Sequence, residues 1–229
     1  MNGRLSTIER AYFDFLNDRE FPCIGAKAAL ANDTVDYHVA HHLGLPDDDR
    51  EILQFLYVFV DYLRSRKTLF SSAVVLFEKP SIDKEEIFEN LFWQRLQALA
   101  DLDAQHYSYD RRVSNDSTSV HFSFSLKEEA FYVIGLHPAS SRKARRFGFP
   151  AMVFNPHNQF VALRERGKYE PMRSVVRKRD VHYSGSVNPM LADFGESSEA
   201  FQYSGQQYDK NWKCPFRSKH KDAERDSAA

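Results

Sequence analysis

The stretch from Gly135 to Pro150, GLHPASSRKARRFGFP, gathers the groups with the most chemistry to offer. His137 stands where an apolar run, Ala130 to Leu136, gives way to a proline. Ser140 and Ser141 follow, and then Arg142, Lys143, Arg145 and Arg146. Arginine forks match the paired oxygens of a carboxylate or phosphate, and serine hydroxyls add donors, so such a loop can hold an anion. A histidine at its mouth can ligate a metal or move a proton. The plainer alternative is a solvated basic loop with a structural histidine.

Cys23 is the second candidate. In FPCIGAK it precedes a helical run, where the positive end of the helix dipole favours thiolate, and Lys27 lies one turn on. A thiolate is a nucleophile or a soft metal ligand. The same cysteine could equally be packed beneath Phe21. His157 in VFNPHN also sits beside a proline at a strand end, and Cys214 in WKCPF reads best as part of an aromatic clasp. Two weaker sets fail on their own pattern. His38 and His42 are spaced i, i+4 on a predicted helix, but no Glu follows His38 as a zinc protease needs. Ser141, His137 and Asp180 have no Gly-x-Ser-x-Gly elbow around them.

These residues need elements to position them. The first hundred residues read mostly as helix: Thr7 to Leu16, then Ile24 to His42 closed near Gly44, then Asp47 to Arg64 with apolar residues at helical spacing. SAVVLF (72–77) reads as a strand. Asp83 and Glu86 form a capping-box pair opening a long helix. Val120 to Leu126 alternates as a half-buried strand, Lys127-Glu128-Glu129 turns, Phe131 to Leu136 returns, and Met152 to Phe154 joins the same sheet. Asn155-Pro156 and Pro171 each open a helix, the second rich in arginine, and Asn188-Pro189 opens a short one. The expected fold is therefore α+β: a helical N-terminal half packed on a small antiparallel sheet, with further helices after it. A single domain over 1–216 and a disordered tail over 217–229 complete the expectation.

Composition narrows the function classes. The net charge of −1 points to neither nucleic acid nor membrane, although residues 137–180 carry eleven Lys/Arg against three Asp/Glu. Two cysteines cannot build a disulfide scaffold, so a reducing cytoplasm is the expected compartment. MNGRLSTIERAYFDF has no apolar h-region of a signal peptide, and the apolar stretch Ile52 to Val60 is too short to span a bilayer.

Five segments taken together, FPCIGAKAAL (21–30), GLHPASSRKARRF (135–147), VFNPHNQF (153–160), VNPMLADFGESSEAFQYSG (187–205) and WKCPF (212–216), resemble the YqcI/YcgG family in type and order. Two turn positions depart from its pattern: Lys79 replaces a glycine, and Lys127-Glu128 replaces a glycine-bearing hairpin turn. The family includes heme-dependent N-hydroxylases of guanidino compounds, such as the pre-guanitoxin N-hydroxylase. The resemblance thus implies heme b, molecular oxygen, a guanidino or amine substrate and a separate electron-donating reductase, because no Gly-x-Gly-x-x-Gly occurs in the chain. It implies a ligand that is Cys23 or a histidine, His137 or His157, with Ser141, Arg142, Arg145 and Arg146 around the cofactor. Asp193, Glu196 and Glu199 are the expected acidic fork for a guanidinium. A non-enzymatic heme or gas-sensing protein, or an anion- or nucleic-acid-binding module built on 137–180, are the alternatives.

Overall fold

The computed structural model describes residues 6–65, 69–193, 195–209 and 211–220. Helix α1 (Thr7–Asn17) starts at a complete capping box between Ser6 and Glu9. Helix α2 (Ile24–Ala31) is capped by Cys23. It is followed by strand β1 (Val35–His42), helix α3 (Asp49–Ser65), strand β2 (Ser72–Lys79) and helix α4 (Glu85–Asp103). Strands β3 (Phe124–Leu126), β4 (Glu129–Leu136) and β5 (Ala151–Pro156) come next, then helices α5 (His157–Glu165), α6 (Tyr169–Ser184) and α7 (Ala200–Tyr203).

The five strands form one sheet in the order β1-β2-β5-β4-β3. β1 runs parallel to β2, with α3 as the crossover, and the other neighbours are antiparallel. The fold is α+β as expected, but its arrangement differs. Strands alternate with helices along the chain, and the sheet is mixed.

The main departure is β1. Residues 24–42 were expected as one helix, and the chain instead breaks at Asn32-Asp33. Asp33 takes a left-handed φ of 54°, and the Thr34 hydroxyl donates to the carbonyls of Ala29 and Phe70. Beyond it, VDYHV alternates, and pairing with β2 decides the outcome over local helix propensity. His38 and His42 therefore lie on a strand, not on a helix. Smaller corrections follow the same logic. Helix α4 begins at Glu85 with Lys84 as an uncapped N-cap, so Asp83 and Glu86 form no capping box. Asn155 is not an N-cap: its side chain accepts from Ser72 Oγ and donates to the Tyr132 carbonyl within the sheet.

Lys127 and Glu128 turn the β3–β4 hairpin with φ of 51° and 58°, the geometry that a glycine would adopt more easily. Of the expected tail, residues 221–229 lie outside the described residues. Residues 217–220 run along α4, where His220 Nε2 meets the buried Asp103 carboxylate at 2.8 Å.

Alternation sorts the sheet into two faces. Ala73, Val75 and Phe77 of β2, Phe131 and Val133 of β4, and Met152 and Phe154 of β5 face α3 and α4. Val74 and Leu76, Ile134 and Leu136, and Ala151 and Val153 face the other way, toward α1 and the start of α2. Among the described residues no helix is long and apolar enough to cross a membrane.

Candidate functional site

The first face is closed. Its side chains, with those of α3 and α4, form a core in which most members have no exposed surface. The second face is not filled. Between it and helices α2, α5 and α6 lies an open cavity with a mostly apolar lining. A second chamber continues it toward α1 and the 142–145 loop, and Cys23, Ser72, Tyr132, Ile134, Asn155, Val176 and Leu191 are among the residues that line both.

Cys23 holds a defined place in this wall. Its Sγ caps α2, accepting from the Ala26 amide at 3.4 Å. Burial pushes the thiol pKa up, and the amides of Ala26 and Gly25 and the charge of Arg145 only partly offset this. The expectation of a thiolate made by the helix dipole alone is therefore corrected: the protein by itself keeps Cys23 as a thiol. Binding to a metal would displace that proton.

Glu199 also lines the cavity. Its Oε2 accepts from Ser123 Oγ at 2.8 Å and from Tyr203 Oη at 3.0 Å. Desolvation raises its pKa to about 7, so near neutrality it exchanges between acid and carboxylate. His157, the first residue of α5, brings Nδ1 to 3.8 Å from Glu199 Oε1. Burial and the nearby charges of Arg112 and Arg164 push the imidazole down to about 4, so it is neutral at physiological pH.

Three arginines on the far helices also line the cavity: Arg164 of α5, and Arg173 and Arg177 of α6. Arg173 is paired with Asp193 and Glu170. Arg164 lies 4.1 Å over the Tyr169 ring. Arg177 has a buried Nε with no hydrogen-bond partner among the described residues.

A family model described as YqcI/YcgG family matches residues 12–217. The chain belongs to the YqcI/YcgG family. Two uncharacterized proteins of Bacillus subtilis (strain 168) are among its relatives. YcgG is 27% identical over 208 residues, covering 86% of this chain and 80% of its own length. YqcI is 26% identical over 198 residues, covering 80% and 76%. No solved structure matches the chain.

In this YqcI/YcgG member the other expected site residues scatter. His137 lies on the closed face, 1% exposed, its ring stacked 4.2 Å from that of Phe88. Burial and Arg145 push its pKa down to about 4. Cys23 and His137 are thus separated by the sheet and do not meet at one metal. Among the described residues no group of three or more His, Cys, Asp or Glu converges as a metal site. Arg145 is buried and donates to the carbonyls of Gly135, Gln202 and Tyr203. Arg142 donates to Asp180 and to the Ser186 carbonyl, which ties the loop to α6. Arg146 and Ser141 are exposed: Arg146 bonds the carbonyls of Ser140 and Ser141, and Ser141 bonds Glu85. Arg142 and Arg145 line the second chamber, and the basic loop is a brace whose arginines are satisfied internally.

The acidic trio does not converge either. Asp193 is paired with Arg173, and Glu196 is exposed and accepts from the Asp193 amide. Only Glu199 lines the cavity. Cys214 is buried in the closed core beside Phe216, with its thiol pushed up to about 11 by burial. Sequence reasoning missed Tyr132, Arg164, Arg173 and Arg177. The arginine-rich stretch after Pro171 was a visible signal, but nothing in it says which side chains turn inward.

Proposed function

We propose that this chain is a heme-dependent monooxygenase that hydroxylates a nitrogen of a guanidino or amine small molecule, with heme b in the cavity of the open face. The observation that carries the reading is that Cys23 and the buried Glu199 line one mostly apolar cavity. Membership of the YqcI/YcgG family supports it, on the resemblance of the five segments.

The residues present fit a porphyrin. A flat apolar ligand needs a slot, and Ile134, Leu163, Met172, Val176 and Leu191 supply apolar walls. Its propionates need cations, and Arg177, with its unpartnered buried Nε, is the first candidate, with Arg164 beside it. These replace Arg142, Arg145 and Arg146 in the expected role. Cys23, oriented by its N-cap bond, would hold the heme iron on this reading, and His157 is the cavity histidine that would compete with it.

When bound, heme supplies the activation of molecular oxygen, with electrons from a separate reductase. The chain's own residues do the rest. Glu199 as carboxylate pairs with a cationic substrate nitrogen, and Ser123 and Tyr203 fix its orientation. Neutral His157 leaves that carboxylate its charge, where an imidazolium would repel the substrate. The apolar walls exclude water and strengthen the ion pair.

The test is spectroscopic. Purified protein supplied with hemin is expected to develop a heme band, and carbon monoxide added after reduction separates sulfur from imidazole ligation. Cys23→Ala is expected to change the ligation spectrum and His137→Ala to leave it intact. Folded protein that stays colourless with hemin would overturn the proposal.

A further inference from the structure

Five oxidisable rings run in unbroken contact from the cavity to the surface. Tyr132 lines the cavity and meets Tyr203 edge-on, with centroids 5.7 Å apart. Tyr203 stacks on Trp93 at 6.1 Å, and Trp93 lies 6.0 Å from Trp212. Trp212 stacks on Tyr208 at 3.8 Å, and both are half-buried at the surface. The path passes round the end of the β3–β4 ladder. β3 pairs only with residues 129–131, and α7 covers the bare edge of β4 beyond them, with Tyr203 Oη bonded to the Phe131 carbonyl.

The other buried rings of the closed core are Phe, which is much harder to oxidise than Tyr or Trp. Among the described residues the other close tyrosine pairs, Tyr12–Tyr37 and Tyr57–Tyr107, have no ring contact to this path. Proton acceptors stand where a hopping charge requires them. Tyr203 Oη is 3.0 Å from Glu199 Oε2, and Trp212 Nε1 is 3.2 Å from Glu89 Oε1. Tyr132 Oη bonds the neutral amide of Gln202 at 2.7 Å, which is a poor proton acceptor, so this ring passes charge without keeping it.

We propose that Tyr132, Tyr203, Trp93, Trp212 and Tyr208 form a one-electron conduit that drains oxidising equivalents from the cavity to the protein surface. The inference rests on the reading that the cavity holds an oxidising cofactor. Each passage balances as follows. A one-electron oxidant formed in the cavity from peroxide takes an electron from Tyr203 through Tyr132, and the Tyr203 phenol proton moves to Glu199. Tyr203 recovers an electron from Trp93 and its proton from Glu199. Trp93 is refilled by Trp212, whose indole proton moves to Glu89. A thiol or ascorbate-class reductant in solution returns the electron at Trp212 or Tyr208, and the proton returns with it. No bond between heavy atoms forms or breaks, and a two-electron oxidant needs two passages.

The experiment treats hemin-loaded protein with hydrogen peroxide and a spin trap, then maps the adducts by peptide mass spectrometry. The absorption spectrum of the same sample reports heme loading. Wild type is expected to carry adducts at Tyr208 and Trp212. Trp93→Phe is expected to lose them and to accumulate adducts at Tyr132 and Tyr203. Trp212→Phe, a milder change at a half-buried site, is expected to lose the Tyr208 adduct and covers the case in which Trp93→Phe folds poorly. A loaded protein whose adducts stay in place in the variants, or fall on Tyr12 and Tyr37 throughout, would overturn the conduit and leave the heme reading standing. A protein that takes up no heme would remove both.

Discussion

The two faces of the sheet come from the same strands and reach opposite ends. On the α3–α4 face every position is filled by packed rings and aliphatic chains, and even a polar residue such as His137 is absorbed as a stacking partner of Phe88. On the α2–α6 face Tyr132, Ile134 and Asn155 are left partly uncovered, and Cys23 and Glu199 line the cavity beside them. A protein interior is normally close-packed, so a face left open beside a closed one is where a ligand belongs. Alternation along one strand sets which residue serves which face. Gly135 and His137 point to the closed side and Leu136 to the open one.

The hardest way to break this comparison is at the brace between the faces. Arg145→Met would leave the carbonyls of Gly135, Gln202 and Tyr203 without their charged donor inside the protein. Bonds from charged groups are worth about 1.5–3 kcal/mol each, so a loss of about 4 kcal/mol or more is expected, enough to unfold a marginal domain. Urea denaturation measures it, and a loss under about 1 kcal/mol, an ordinary surface effect, would show that the brace is not structural.

A pair of glycines sharpens the contrast between closed and open. A Cβ on Gly135 would meet Phe88 Cε1 at 2.7 Å and Cζ at 2.9 Å. Phe88 is fully buried and held against His137, so it cannot swing aside. Gly135→Ala should cost about 1–3 kcal/mol through overpacking. Gly25→Ala meets nothing nearer than Phe70 at 3.6 Å and sits inside α2, so it should be neutral or stabilise by up to about 1 kcal/mol. Thermal melts of the two variants compare the faces directly, and similar costs at both sites would contradict the asymmetry.

Cys23 and His137 extend the contrast to chemistry. His137→Ala removes a stacked, buried ring and should cost about 2–3 kcal/mol, with heme uptake unchanged in protein that remains folded. Cys23→Ser keeps an N-cap acceptor, so its stability should stay within about 0.5 kcal/mol while the heme spectrum changes. The reverse pattern, with His137 controlling the spectrum, would place the cofactor on the wrong side of the sheet for the cavity described.

How far these features were legible depended on whether local pattern or tertiary pairing decided them. α3, β2, β4 and β5 were legible because their apolar periods are strong. β1 was not, since VDYHVAHH follows a helical run without Gly or Pro. The clue was Asn32-Asp33-Thr34, and the deciding term is the ladder with β2. Of Val120 to Leu126 only Phe124–Leu126 enters the ladder, with Phe122 making an isolated bridge to Ser114. In the site, Cys23 was legible as an N-cap residue. For the arginines of 142–146, sequence shows a charge but not its partner, and the partners include Asp180 of α6 and carbonyls of α7, while Arg142 and Arg145 line the second chamber. Glu199 was picked for its charge, but its separation from Asp193 and Glu196 follows from α7 packing on the edge of β4.

A dependence on pH separates the faces through their titrating groups. Glu199 is raised to about 7 from an ordinary 4.5, so the folded protein holds its proton more tightly than the unfolded chain. Folding is therefore favoured by the neutral acid, and stability from this group falls as pH rises from 4.5 through 7. His137 and His157 are each lowered to about 4 from 6.5, so their contribution is complete above 6.5 and is lost as pH falls toward 4. Across 4.5–6.5 two histidines outweigh one carboxyl, and these three groups together place the stability maximum between about 6 and 7. Glu199→Gln isolates the carboxyl. Ser123 and Tyr203 can donate to its amide oxygen, while Arg164 and His157 face the same position. Relative to wild type the variant should be flat below 4.5, gain stability progressively to pH 7, and be flat above it. The gain is bounded by about 3 kcal/mol for a shift of this size, less the cost of a less suitable amide in the site. A difference curve with no rise between 4.5 and 7, measured by urea denaturation across pH, would mean that the folded protein does not hold the Glu199 proton more tightly than the unfolded chain.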